Sequence, residues 1–228
     1  MPKSSCVFSP SLDSSRSGLT RTETLVFAAI TLILVVALSS PIREHFAQAR
    51  INRAVESART INTLLAQYAT DNNGLYPVGE GTSAVGKSEG IAWNLLENNY
   101  TPDASVFAVG STTPYDGKAS DFSDLTAANI SWDFTAGANA TTGITAAASD
   151  YLPVLYTTGE TVDYASAKGR GLTLTPSGKG PLGQEGIVVA YKSGSALLLP
   201  AKPSGGQVPG AFIMSNFNDA GTYTQIRP

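Results

Sequence analysis

Side chains able to do chemistry are sparse in this chain. His45 is the only histidine and Cys6 the only cysteine among 228 residues. An imidazole acts as general base when a nucleophile and an orienting acid stand near it. The run "IREHFAQAR" does not offer His45 the two together, so it reads as an interfacial polar residue. A single cysteine builds neither a disulfide framework nor a Cys-based metal site. No G-x-S-x-G, Walker-type loop, H-E-x-x-H or Cys/His cluster is present, and no enzyme is predicted. Calcium, which takes six to eight oxygen ligands, has two oxygen-rich turns to consider. One is "YDGKASDFSD", with Asp116, Asp121 and Asp124; the other is "NFNDAG", with Asn216, Asn218 and Asp219. Neither has a diagnostic loop spacing, so no metal or other cofactor is assigned. The carboxylate that asks for an explanation is Glu23, at the mouth of the apolar run in "RSGLTRTETLVFAAITLILVVALSSP". A carboxylate in hydrocarbon is costly and tends to mark function; the plainer alternative is a flank residue at headgroup level.

The elements that position Glu23 are helical. Thr24 to Ile42 carries no charged side chain, and Leu19 to Leu38 would make about 30 Å of helix at roughly 1.5 Å per residue, enough to cross a bilayer. The leader "MPKSSCVFSPSLDSSRSG" has no apolar core and no A-x-A-like site follows Leu38, so a conventional secretory signal is disfavoured. Basic residues lie on both sides of the run and do not fix its orientation. Downstream, Ala47, Ile51, Ala54, Ala58, Ile61, Leu65 and Tyr68 recur at steps of four and three with Arg50, Arg53, Glu56 and Arg59 between them, which predicts an amphipathic helix with one buried stripe. "DNNG" is its stop signal, with Gly74 suited to a left-handed cap, and Pro41 is the expected kink.

The body beyond Gly74 reads as a turn-rich sheet domain. "IAWNLLENNY" predicts a short helix with Ile91, Leu95 and Leu96 inward, ended by Asn98 and Asn99. "NISWDF" alternates Ile130, Trp132 and Phe134 with polar residues, the pattern of a half-buried strand. "YLPVLYT" and "GLTLT" are further strands, and "IVVAYKSGSALLLP" predicts a hairpin turning at Gly194, expected at the centre of the sheet. Val188, Ala190, Leu197 and Leu199 are expected to face the long helix. The Ala/Thr/Gly run Thr135 to Ser149 is expected to be a solvent-facing or subunit-facing excursion. Charged residues make up 14% of the chain and the formal net charge is -3, with no basic block dense enough for nucleic acid.

The N-terminal pattern resembles the class III signal of type IV pilins and type II secretion pseudopilins. In that family a basic leader ends in Gly, and the mature chain carries Glu at its fifth position ahead of an apolar helix. Here Gly18 ends the leader, Leu19 begins the mature chain, and Glu23 takes the fifth place. "LLAQYATDNNGLYP" is similar to the end of the long helix in major pseudopilins. Departures are Leu19 for the usual Phe, and Arg21 and Thr22 where apolar residues are typical.

The resemblance implies an α+β, pilin-like fold. A long kinked N-terminal helix, membrane-spanning in its first half, would pack on an antiparallel sheet head. The expected divisions are a leader at 1–18, the spanning and assembly half at 19–41, the amphipathic half at 42–73 and the head at 74–228. The implied function is a structural subunit of a pilus-like or pseudopilus filament. The chain would be cleaved after Gly18 by a prepilin peptidase, N-methylated on Leu19, and polymerised with Glu23 pairing to a neighbour's new amine. Partners would be copies of itself, other pilins or pseudopilins, and an inner-membrane assembly platform, with the head periplasmic before assembly. The alternative is a signal-anchored binding module that does not polymerise. Absence of a C-terminal cysteine pair tilts the choice toward a pseudopilin-like subunit.

Overall fold

The computed structural model describes residues 20–79, 85–117, 122, 124–165, 171–172, 174–175, 178–201, 212–213 and 223–228. By internal contacts the chain divides into two units, Met1–His45 and Phe46–Pro228. The first helix, α1, is Arg21–Asp71, 51 residues long. The pilin-like α+β expectation, with its membrane-spanning first half at 19–41, is overturned. Among the described residues no helix is long and apolar enough to cross a membrane. Exposed apolar side chains among the described residues of this part of α1 include Leu25, Val26, Phe27, Ile30, Leu32, Ile33 and Leu34. Thr20, Arg21, Thr22, Glu23 and Thr24, all polar and exposed, precede them.

Within the second unit, α1 buries one stripe. Ala54, Ala58 and Ile61 are wholly inaccessible, Leu65 nearly so, and Ile51 and Tyr68 are half-buried. Arg53, Glu56, Arg59 and Thr63 lie on the opposite, exposed face, the two-sided pattern a 3.6-residue period requires. Asn62, also buried, donates from Nδ2 to the Tyr191 carbonyl at 2.9 Å. At its end the helix is capped one position earlier than expected. Asn73 has φ of +56°, Gly74 follows at +80°, and the Gly74 N–H donates to the Ala69 carbonyl at 2.7 Å, the long bond of a Schellman ending.

Residues 135–149 are not a free excursion. Tyr76 N–H donates to Ile144 O, Ala146 N–H donates to Gly74 O, Leu75 bridges Thr145, and Ile144 is buried. The loop fastens the exit of α1.

The second helix, α2, is Ser88–Glu97, starting three residues before the predicted run, with Ile91, Leu95 and Leu96 buried. Asn98 caps it, and Asn99 takes the left-handed conformation at φ +58°. Five strands follow: β1 Trp132–Ala136, β2 Pro153–Thr157, β3 Gly186–Tyr191, β4 Ala196–Pro200 and β5 Thr224–Ile226. They form one antiparallel sheet in the order β4-β3-β2-β1-β5. The β3–β4 hairpin is therefore at one side of the sheet, with β4 an edge and β2 central, which corrects its expected central place. In the predicted strand Gly171 to Thr175, Leu172 and Leu174 are bridge residues and Thr173 lies outside the described residues.

The register corrects the expected helix-facing set. Val189 pairs with Leu197, Ile187 with Leu199, and Val188 with Leu198. Directly paired residues share a face, so Leu197 and Leu199 point away from the side that holds Val188 and Ala190. By the same rule Trp132, Phe134, Leu155 and Ala190 share one face, and Asp133, Tyr156 and Val189 the other.

The first of these faces is apolar, and its residues share one buried core with the α1 stripe. The second is covered too, so every residue of β1 is buried, polar ones included. Its cover comes from the connection after β2 and from Phe212. The Tyr164 hydroxyl bonds Thr135 Oγ1 at 2.6 Å, Thr135 Oγ1 also donates to the Pro153 carbonyl, and Phe212 stands edge-on to Tyr156 with centroids 5.1 Å apart.

Candidate functional site

Glu23 has a local partner. Thr20 precedes the first helical residue, and its N–H and hydroxyl donate to Glu23 Oε2 at 2.8 and 2.9 Å. In return the Glu23 N–H donates to Thr20 Oγ1 at 3.3 Å. This is a capping box: the first-turn donors, which lack helical acceptors, are satisfied reciprocally. The carboxylate also sits at the positive end of the helix dipole. Glu23 Oε1 makes no hydrogen bond among the described residues. Immediately beyond it, Leu25, Val26, Phe27, Ile30, Leu32, Ile33 and Leu34 are between 49% and 70% exposed. At about 100° per residue these positions spread over about 220° of the helix circumference, and Ala28 and Thr31, also exposed, occupy the remainder.

Gly18 and Leu19 lie outside the described residues, as do Asp121, Asn216, Asn218 and Asp219. The backbone of α1 is helical through Pro41, whose side chain is likewise outside them. His45 is exposed on α1, and Asp116 and Asp124 are exposed on loops. Among the described residues no three His, Cys, Asp or Glu side chains gather as metal ligands would.

A second polar constellation escaped the sequence reading. Asp133, the second residue of β1, is wholly inaccessible. Its Oδ2 accepts from Gln225 Nε2 at 2.6 Å, while Oδ1 is buried with no hydrogen-bond partner among the described residues. Gln225, on β5, is fully engaged. Nε2 also donates to the Glu160 carbonyl at 2.6 Å, and Oε1 accepts from the Val162 N–H at 2.9 Å and from Arg227 Nη2 at 3.0 Å. A backbone N–H can only donate, so Val162 fixes which way the amide points. Burial pushes the Asp133 carboxyl up to about 6; polar contacts from Thr158 and Gln225 and the charge of Arg227 hold it down, while Glu160 adds to the rise. Tyr164 beside it is also pushed by burial, to about 12.

Next to this network lies a groove of about 360 Å³ bordered by Tyr164, Tyr223, Gln225 and Arg227. The signal that could have drawn attention to Asp133 is its type: aspartate is depleted in strands, and here it sits between Trp132 and Phe134 with no basic neighbour in sequence.

The chain matches no family model, and no curated protein or solved structure is significantly similar to it.

Proposed function

We propose that the chain is a structural subunit of a filament of the type IV pilin or type II secretion pseudopilin kind, released from its leader after Gly18 and polymerised through the N-terminal part of α1. The observation that supports this reading is the all-round exposure of Leu25 to Leu34. Contiguous apolar surface on a soluble face is normally small or an interaction site, and here it wraps most of the way round a helix. Bundling of identical helices would remove it from water. Glu23 keeps Oε1 for a neighbour's amine at Leu19 while Oε2 stays in the capping box. A prepilin peptidase would supply that amine, and copies of the chain, with related subunits, would supply the bundle.

The test is mass spectrometry of the assembled protein with electron microscopy of sheared filaments. A chain beginning at Leu19 within filaments is the expected result. An intact Met1–Gly18 segment in the assembly, or a monomer under crosslinking, refutes the reading.

A further inference from the structure

The Asp133 network ties together three pieces of chain distant in sequence. Through one amide, Gln225 joins β1 at Asp133 to Glu160 and Val162 of the connection after β2, and Arg227 doubles the tie by donating to the Glu160 carbonyl at 2.9 Å. The second face of the sheet is closed over Thr135 and Tyr156 by that same connection, through Tyr164.

Everything then depends on the charge of Asp133. Gln225 Nε2 can bond Oδ2 in either protonation state, since its direction is set elsewhere. The proton, when present, sits on Oδ1, the oxygen without a partner among the described residues. When it is absent, a buried anion is left with the Gln225 amide and the Thr158 hydroxyl as its hydrogen-bonding neighbours. Ionised carboxylates of that kind are strongly disfavoured unless well paired. The groups facing Asp133 offer little compensation. From the connection come Glu160, an anion, and the hydroxyls of Thr158 and Tyr164; from β2 the Tyr156 hydroxyl; from beyond β5 Arg227, which is exposed and already shared between Gln225 and Glu160.

We propose that the Asp133–Gln225 contact is a proton-operated latch: neutral Asp133 holds β5 and residues 158–165 against β1, and ionised Asp133 loosens them, opening this face of the sheet as pH rises. The device is independent of filament assembly. Its sign follows from linkage. The closed state binds the proton more tightly than the open one, so closure is complete below the ordinary carboxylate range and is lost as pH rises through about 6. A difference of roughly two units between closed and open states sets the largest change in the closed-to-open ratio at roughly a hundredfold.

Hydrogen exchange of the full chain, read by mass spectrometry and corrected for intrinsic rates, tests this. From about pH 4 to about pH 7, protection over 158–165 and 224–226 is expected to fall at least ~10-fold in the wild type and to stay flat in Asp133→Asn. Gln225→Met should be poorly protected at both ends of the range. Carbon-detected titration of the wild-type Asp133 carboxyl gives an answer that needs no variant to fold. Flat wild-type protection, a slope that survives in Asp133→Asn, or a carboxyl that titrates in the ordinary aspartate range overturns the proposal.

Discussion

Gly110 and Gly183 form a matched pair that measures how tightly residues 108–112 sit on the head. Their backbones are nearly identical, with φ of +63° and +60°. Both are in the left-handed region, so replacing either with alanine costs about 1–2 kcal/mol in backbone strain. They differ in surroundings. A Cβ on Gly183 meets nothing within 4 Å, whereas a Cβ on Gly110 would fall 1.9 Å from the Pro181 carbonyl oxygen and 2.6 Å from its carbon. Ordinary contact needs more than an ångström of retreat by backbone that is itself held, since Ser111 N–H donates to that same carbonyl at 3.2 Å. Overpacking of this sort adds about 1–3 kcal/mol. For a chain of this size each kcal/mol lowers the melting temperature by about 2–4 °C. Gly183→Ala should therefore lose roughly 2–8 °C, and Gly110→Ala roughly 2–12 °C beyond that. Thermal unfolding by circular dichroism at one pH and protein concentration compares the two directly. Equal losses would refute the close approach of residue 110 to Pro181, and with it the placement of the loop that receives the Ser131 hydroxyl at Val109.

Other outcomes follow from contacts already described. Glu23→Gln separates two roles, because glutamine completes a capping box as well as glutamate does but brings no charge for an amine. Helix content should be unchanged and filaments lost; filaments of normal length would assign Glu23 to capping alone. Asn62→Ala should cost only about 1 kcal/mol, the net worth of one hydrogen bond, because Tyr191 O keeps a second donor in Gly194 N–H at 2.9 Å. Chemical denaturation that shows a loss above about 3 kcal/mol would mean that α1 docking depends on this bond far more than its geometry implies. The difference in stability between wild type and Asp133→Asn should shift by about 2 kcal/mol from pH 4 to pH 7, against the wild type as pH rises; a flat difference contradicts the raised carboxyl.

Local features were the ones legible before any coordinates. The α1 stripe is a helical period acting on neighbours, so Ala54, Ala58, Ile61 and Leu65 were found from spacing alone. The capping box was equally available, since Thr20-x-x-Glu23 is written in the chain, but attention to a distant partner for Glu23 hid the near one. The spanning half is overturned because no helix among the described residues is long and apolar enough to cross a membrane.

Asp133 was out of reach for a different reason. Alternation in "NISWDF" says that two faces differ, but not that a second layer covers the polar one; that layer arrives from residues 158–165 and Phe212, which no local pattern links to β1. The division of Leu197 and Leu199 from Val188 and Ala190 was likewise hidden, because a change of one residue in pairing register moves every side chain to the other face. The Ala/Thr/Gly run misled because small residues were read as surface. A Cβ on Gly143 would stand 2.4 Å from Tyr76 O, so there the missing side chain permits backbone to meet backbone.

The position of β5 beside β1 gives the molecule an order of assembly in time. Gln225 lies 92 positions after Asp133, and chains are made from the N-terminus at roughly 5–20 residues per second. For several seconds of synthesis β1 therefore has β2 on one side and no β5 on the other. During that interval a rim of unpaired backbone, Phe134 to Ala136, with an aspartate just before it, faces whatever surrounds the nascent chain. Such rims template wrong pairing, and a charged side chain beside one discourages it. The aspartate that is awkward to bury in the finished sheet is thus well placed to guard the unfinished one.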